Sequence, residues 1–516
     1  MTANKRIVLN IAATYGRSIY SIAIGLFSAR WVLEALGADN YGLYGVVGGL
    51  TVFIGFLNSM LACAVGRFYA YSVGAVRSAD DKSVAVEDCR RWFNTALCIH
   101  TTIPIALMIV GYPLGSWAVR NWLQIDPARI GDAIWIFRFT CLTCFVGMVN
   151  VPFSAMYTAK QYIAELTVYS VAQTTLNFFF YYYMVSHPGE WLVKYALWGC
   201  FIAVAPQILI CIRALKVFPE CKIRLGYFWS VDRFRKLGSF AGWQMFSGIG
   251  TLLSNQGMQI LINKFFGTTI NASMSVANTV NGHAQSLSSA LQGAFAPAIT
   301  QACGARQLDL MKSLAFRSCK FALLLSLIFV VPLMAELDNV MTLWLKNPPQ
   351  YVSQLCMCFV VSALIDKCSV GHMVALNANG KIALYQTMLG TVRILTLPIA
   401  WFFVVSGAGA CSVAYAYILT SIVCSLGRVW LAKRLVDMNV MYWVWRVVAP
   451  VLLLTAVALG VSMFPSMVFD ATFSRVLLTG MISELVIIPL AWFVVLDRAE
   501  RIFVAAKIRA LLAKWR

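Results

Sequence analysis

Apolar stretches of roughly 20 residues recur along the whole chain, separated by short segments with charged residues, glycine or proline. A helix of that length crosses the roughly 30 Å of hydrocarbon in a bilayer. The pattern predicts about fourteen membrane-spanning helices in an all-α polytopic membrane protein. The predicted spans are 7–29, 41–66, 92–118, 131–156, 164–186, 190–212, 237–263, 269–300, 315–336, 351–376, 382–405, 410–432, 441–463 and 475–496.

Composition supports a membrane protein and argues against a nucleic-acid-binding one. The chain is 60% hydrophobic and 12% charged, whereas soluble proteins are about half apolar and a quarter charged. A net charge of +20 could suggest nucleic acid. The Lys and Arg residues, however, lie in short loops between apolar runs and form no separate basic module, so no nucleic-acid partner is expected.

The basic loops all fall on one side of the predicted spans, and by count about 29 of the 41 Lys and Arg residues lie there against about six opposite. The positive-inside rule makes that side cytoplasmic, with both termini inside. The external loops are short, which leaves no room for an extracytoplasmic active site. The basic segments are 67–91, 213–236, 306–320, 428–434 and the tail after 497.

The chain divides into two comparable halves. Setting Ala35-Leu36-Gly37 against Phe265-Phe266-Gly267 aligns the first two predicted helices with the seventh and eighth, and both halves then start on the same side. This predicts a parallel pseudo-repeat of two six-helix lobes around a central cavity. The predicted parts are an N-terminal lobe 1–212, a cytoplasmic linker 213–236, a C-terminal lobe 237–436, two further helices 437–496 and a basic amphipathic tail 497–516.

Polar residues form stripes along single faces of predicted helices 1 and 8. Such stripes either line a wet cavity or bind neighbouring helices together, and the length of the second stripe favours a cavity. His283 lies beside the second stripe. The first stripe is Asn10, Thr14, Arg17, Ser21 and Ser28, and the second is Asn271, Ser275, Asn278, Gly282, Gln285, Ser289 and Gln292.

Charges within the spans are mostly basic, and each costs about 2.5–3.5 kcal/mol on insertion. Arg17 and Arg393 lie near mid-span, whereas Arg138 is nearer an end and can reach headgroups. Adjacent Asp366 and Lys367 point in different directions, so each is expected to pair with another helix. Guanidinium groups bind phosphate oxygens bidentately, which makes a basic cavity suitable for a diphosphate headgroup.

Cysteine and histidine give no sign of a catalytic or metal site. The 15 Cys are spread through apolar runs, and the four His are scattered. Cys141 and Cys144 have CxxC spacing, but they lie inside an apolar run where buried thiols are expected. No paired metal-ligand spacing occurs near His, and no Ser-His-Asp arrangement is found. No catalytic residue, metal or cofactor is therefore predicted.

Residues 10–49 resemble the polysaccharide flippases of the multidrug/oligosaccharidyl-lipid/polysaccharide exporter superfamily. The resemblance depends on a helix-ending Ser28-Ala29-Arg30 and a turn with Leu36-Gly37, Tyr41-Gly42 and Tyr44. Relatives often have twelve helices, and the cation-binding acids of the multidrug branch have no match in predicted helices 1 and 7.

The resemblance implies a two-lobed transporter in the bacterial cytoplasmic (inner) membrane. Such a transporter flips undecaprenyl-diphosphate-linked oligosaccharide for lipopolysaccharide, capsule or exopolysaccharide synthesis. The expected partners are that anionic lipid-linked oligosaccharide, membrane lipids and a polysaccharide polymerase. The family's basic cavity maps onto Arg17, Arg30 and Arg393, and the full candidate substrate-binding set adds Arg138, Asn278, Gln285 and Gln292.

Three alternatives remain open at this stage. A multidrug exporter of the same superfamily should have an acidic cavity. A membrane polysaccharide polymerase or glycosyltransferase should expose catalytic groups on a large external loop. In a non-transporting scaffold, the polar stripes would serve packing alone.

Overall fold

The computed structural model describes residues 3–78, 82–123, 125–187, 189–345, 348–498, 500–502 and 505. Within these ranges the chain is helical apart from short connections, and the predicted all-α membrane class is confirmed. Eight described helices are long and apolar enough to cross a membrane, and a bent pair can make a ninth span. The count of fourteen spans stays a prediction. Most of the predicted amphipathic tail lies outside the described residues.

Seventeen α-helices occupy the described ranges. The first nine are α1 Ala3–Gly49, α2 Val52–Ser78, α3 Lys82–Asn121, α4 Ile130–Ala159, α5 Ile163–Ser186, α6 Leu192–Val217, α7 Val231–Gly304, α8 Leu308–Ala335 and α9 Leu337–Leu345. The others are α10 Val352–Cys368, α11 Val370–Asn379, α12 Ala383–Val405, α13 Ser412–Val436, α14 Val440–Trp443, α15 Ala449–Ser462, α16 Phe464–Val468 and α17 Phe473–Leu490. Single π-turns follow α14 and α17.

Helices α1 and α7 are each interrupted by one glycine. At 1.5 Å per residue, an unbroken α7 would be about 110 Å long, several times the thickness of a bilayer core. Gly37 (φ 76°, ψ 162°) and Gly267 (φ 82°, ψ −178°) have nearly the same backbone conformation, which is essentially restricted to glycine. These are the two glycines that the sequence alignment of the halves placed together; the repeat of the halves stays a prediction.

The chain forms two compact units. The first contains Met1–Met245 and Gly293–Met311, and the second contains Phe246–Gln292 and Lys312–Arg516. Helix α7 contributes to both units, so their limits differ from the predicted 212 and 237. The division into six-helix lobes with a separate C-terminal pair stays a prediction.

In the first unit, α4 packs against α2, α3 and α6, and α1 packs along α5. Bulky side chains such as Tyr69, Phe93 and Tyr157 are fully buried there. Phe93 meets Phe153 edge to face at 5.2 Å between ring centroids, an arrangement that aromatic quadrupoles favour.

In the second unit, α7, α10, α12 and α13 enclose a core that includes Met258, Met274 and Phe359. Small residues let these helices approach closely, because lipid provides no hydrophobic force between helices. A Cβ atom added at Gly250 of α7 would lie 2.7 Å from the carbonyl oxygen of Gly390 in α12. This close approach brings polar side chains of α7 and α12 to one pocket.

The predicted span over 351–376 corresponds to two helices with a bend between them. Helices α10 and α11 are separate and bend by 47° around Ser369, which has non-helical angles (φ −116°, ψ 10°). A break frees backbone groups that need polar partners, so broken spans occur where the chain is buried in protein or lines a cavity. Here the break follows Asp366 and Lys367 directly.

Two buried ion pairs connect α17 and the residues after it to α8 and its C-terminal end within the second unit. Glu336 meets Arg475 of α17 at 2.9 Å and accepts a hydrogen bond from Thr479. Beyond the C-terminal end of α17, Glu500 meets Lys320 of α8 at 2.8 Å. Assigning Lys320 to a cytoplasmic loop was therefore wrong, because α8 already begins at Leu308 and buries Lys320.

A valine at Gly371 should destabilise the second unit. Its Cβ atom would lie 1.9 Å from the Ala315 carbonyl oxygen, whereas a Cβ atom at Gly460 would meet nothing within 4 Å. Overpacking costs about 1–3 kcal/mol, so Gly371→Val should lower the thermal midpoint and yield in detergent, while Gly460→Val should not. Equal midpoints for the two variants would contradict this close packing of α8 and α11.

Candidate functional site

A polar pocket of about 220 Å³ lies inside the second unit, among α7, α10, α12 and α13. Its lining combines amide and hydroxyl groups with three charged side chains. Polar and charged groups inside a membrane helix bundle face protein or water rather than lipid. The lining residues are Thr251, Asn281, Gln285, Ser362, Ala363, Asp366, Leu389, Arg393, Tyr417 and Arg428.

Arg428 of α13 bridges the break between α10 and α11. Its Nη1 lies 2.7 Å from Asp366 Oδ1 and 3.4 Å from Ser369 Oγ. Ser425 of α13 also donates to Ser369 Oγ, at 2.9 Å. The C-terminal carbonyls of α10 carry partial negative charge, which a cation at this position stabilises. The Arg428 side chain is 5% exposed and that of Asp366 23%, so the carboxylate is the more accessible partner.

Arg393 of α12 is the second guanidinium of the pocket. It is buried, its Nη1 donates to Ser421 Oγ at 3.2 Å, and its Cζ lies 4.8 Å from the Tyr417 ring centroid. Ser421 also shares a hydrogen bond with Ser362 at 2.8 Å. A guanidinium has five N–H donors, and Ser421 is the one hydrogen-bond acceptor for Arg393 among the described residues. The group is therefore positioned by α13 yet retains donors for a ligand.

Lys367 and Asp366 pair with different helices, as expected from their sequence positions. Lys367 is buried and its Nζ donates to Gln285 Oε1 of α7. The Nε of Arg428 and the Oδ1 of Asn281 are buried without a hydrogen-bond partner in the described part of the chain. Two guanidinium groups and one carboxylate give the lining a net positive charge. Lys367 donates to the lining residue Gln285.

The pocket contains Arg393 and Gln285 from the predicted substrate-binding set. Asn278 and Gln292 lie on the same helix, α7, and are partly buried, but neither belongs to the described lining. The second polar stripe thus reaches the pocket through its middle. The side chain of His283, which lies beside this stripe in sequence, is outside the described part.

Arg17 and its stripe on α1 face α5 in the first unit. Arg17 Nη1 lies 3.5 Å from Ser170 Oγ, and Tyr20 meets Thr175 at 2.8 Å. Asn10 donates to Gln161 at 3.1 Å. For these residues the structure favours helix packing, the alternative that the sequence left open.

The remaining predicted arginines have no described part in the pocket. Arg138 of α4 is exposed, its Nε donates to Tyr112 Oη at 3.0 Å, and its guanidinium lies 4.8 Å from the Trp135 ring centroid. The side chain of Arg30 lies outside the described residues. Arg17, Arg138 and Arg393 are therefore not brought together within one compact unit.

Sequence reasoning missed Arg428, which was assigned to the basic loop 428–434. That assignment is wrong, because α13 continues to Val436 and buries Arg428. A signal was present: Ser421, Ser425 and Arg428 are spaced by four and three residues, so they share one helical face. A buried partner for Asp366 could have been sought on that face.

No group of three His, Cys, Asp or Glu in the described ranges could hold a metal ion.

Comparison with known proteins links this fold to transporters. A family model described as "Polysaccharide biosynthesis protein" matches residues 193–344. A comparison with curated protein sequences gives no match. Among solved structures, an outward-facing multidrug resistance MATE family transporter of the MOP superfamily has TM-score 0.69 at 16% identity, covering 85% of this chain and 97% of its own.

A MOP superfamily transporter from Pyrococcus furiosus has TM-score 0.68 at 15% identity, with the same coverage of 85% and 97%. The binding pocket of that transporter has a reverse polarity, which suggests a different function for it. At these identities the similarity is one of fold: the chain has the fold of these membrane transporters.

Proposed function

We propose that this protein is a flippase that moves an anionic lipid-linked oligosaccharide from the cytoplasmic to the outer leaflet of a bacterial inner membrane. Transport would proceed by alternating access. The substrate class is a polyprenyl-diphosphate-linked saccharide used for lipopolysaccharide, capsule or exopolysaccharide synthesis. The observation that carries the proposal is the net positive pocket in the second unit.

The chemistry of the pocket suits a diphosphate group. Arg393 and Arg428 present planar guanidinium forks that match phosphate oxygens, and they keep their charge in apolar surroundings. Asn281, Gln285 and Tyr417 add groups that can bind hydroxyls or phosphate oxygens. A pocket of about 220 Å³ is small, so it would hold the charged headgroup while the lipid tail remains in the bilayer. The matching family description, polysaccharide biosynthesis, agrees with this substrate class.

A multidrug exporter is the second candidate, because a similar structure is a multidrug resistance transporter. Cationic drugs require acidic groups in the cavity. Asp366 is the one acid in the described lining, and Arg428 already neutralises it at 2.7 Å. The pocket charge therefore favours an anionic substrate.

The test is complementation in a bacterium that lacks its own polysaccharide flippase. Wild-type protein should restore surface polysaccharide, and the same cells should gain no resistance to cationic drugs. Membrane expression is matched by immunoblot, and several saccharide backgrounds are used because the sugar is not specified by the pocket.

Drug resistance without polysaccharide rescue would overturn the proposal in favour of the exporter. A well-expressed protein that gives neither phenotype in any background would indicate a non-transporting scaffold. Polymer synthesis from flipped precursor in a polymerase-deficient strain would instead indicate the polymerase alternative.

A further inference from the structure

The segment that joins α6 to α7 is bound firmly to α3. The Asn94 side chain donates to the Lys222 carbonyl at 3.0 Å and accepts from the Arg224 amide at 2.8 Å. Thr95 donates to the Tyr227 carbonyl at 3.3 Å. These bonds satisfy backbone groups that a mobile loop would leave to water. Residues 218–231, called the interhelical segment below, therefore have a fixed shape.

A small buried core strengthens this attachment. Phe218 is 2% exposed, and its ring meets Tyr157 edge to face at 4.9 Å between centroids. Glu220 is buried against Lys160 at 2.6 Å. Cys221 is fully buried, and burial raises the pKa of its thiol. One side of the interhelical segment is thus part of the protein interior.

The opposite side exposes large apolar residues. Ile223 is 49% exposed, Leu225 78%, Trp229 75% and Val231 69%. A rigid segment cannot turn these side chains inward, so water contact would be unfavourable by roughly 25 cal/mol per Å² of apolar surface. The segment begins where α6 ends, and α6 is long and apolar enough to cross a membrane, which favours a position near the membrane surface.

Exposed cations occur within the segment and on the helix ends on both sides of it. Lys216, Lys222 and Arg235 are exposed and form no ion pair among the described residues. The two acids of the segment and its border are already paired, Glu220 with Lys160 and Asp232 with Lys236. Apolar and aromatic residues bordered by cations are typical of surfaces that lie in the headgroup region of anionic bilayers.

We propose that the interhelical segment is a binding surface for anionic phospholipid, with Trp229 and Leu225 inserted among the acyl chains and Lys222 and Arg235 at the phosphates. The positive-inside pattern predicts the cytoplasmic leaflet, whose anionic lipids attract each basic side chain by about 1 kcal/mol, or about 5-fold in affinity. This proposal does not depend on the transported substrate.

Hydrogen exchange of the full-length protein in nanodiscs tests it. Amides of the segment 222–231 should exchange more slowly as phosphatidylglycerol replaces phosphatidylcholine, and high salt should remove the difference. The double variant Lys222→Gln with Arg235→Gln should need roughly 5-fold more phosphatidylglycerol per removed cation to reach the same protection from exchange. The matched control replaces two exposed cations of the predicted outer side, Arg120→Gln with Lys194→Gln, and should behave as wild type.

The apolar contribution is tested by Trp229→Ser against Trp122→Ser, which removes an indole of similar exposure, 75% against 69%. Only Trp229→Ser should accelerate amide exchange in the interhelical segment. Exchange that is equal in both lipids overturns the proposal. Protection that depends on protein concentration instead of lipid charge also overturns it and assigns the surface to a second copy of the chain.

Discussion

Replacing Arg428 with leucine should destabilise the second unit by about 3–5 kcal/mol, the usual effect of removing one partner of a buried ion pair. The substitution leaves the Asp366 carboxylate without the guanidinium at 2.7 Å and removes the contact to Ser369 at the helix break. We expect a large fall in thermal midpoint and in folded yield, measured by fluorescence-detected gel filtration of detergent extracts.

The double variant Arg428→Leu with Asp366→Leu separates folding from function. Replacing both members of a buried pair with apolar residues is often neutral for stability, so folded yield should recover. Surface polysaccharide should remain absent, because one of the two guanidinium groups of the pocket is missing. A double variant that transports normally would show that the pair is structural only.

Much of the fold could be predicted from the sequence because lipid imposes simple rules. Spanning length yielded the all-α membrane class without any knowledge of packing. Gly37 and Gly267, which the comparison of the halves set together, share a backbone conformation that is restricted to glycine, while the repeat itself stays a prediction. Such local constraints are visible in a single sequence.

The candidate site was harder to predict because its partners are distant in sequence. Asp366 and Arg428 are 62 residues apart, and a basic residue near the end of a helix resembles an ordinary cytoplasmic flank. The stripe on α1 shows a second limit. Its helical period indicates a polar face but not what covers that face, and α5 covers it through contacts such as that of Ser170 with Arg17.

Replacing Arg393 with glutamine should reduce transport by about 10- to 100-fold, since truncating a hydrogen bond to a charged group costs about 1.5–3 kcal/mol. Glutamine is polar and smaller than arginine, so it fits the space and folding should be retained. The measurement is surface polysaccharide in the flippase-deleted strain at matched expression. Arg393→Lys should recover part of the activity, because it keeps the charge but loses the bidentate fork.

Arg138→Gln is the matched control for Arg393→Gln. Arg138 also lies in a span, but it is exposed and its guanidinium is engaged with Tyr112 and Trp135. Its replacement should leave transport near the wild-type level, because a basic residue in a span is not in itself what the substrate requires. Equal losses for the two variants would indicate a general requirement for basic residues in the spans. Full activity of Arg393→Gln would remove the pocket from the transport pathway, while polysaccharide rescue by wild-type protein would still support a flippase.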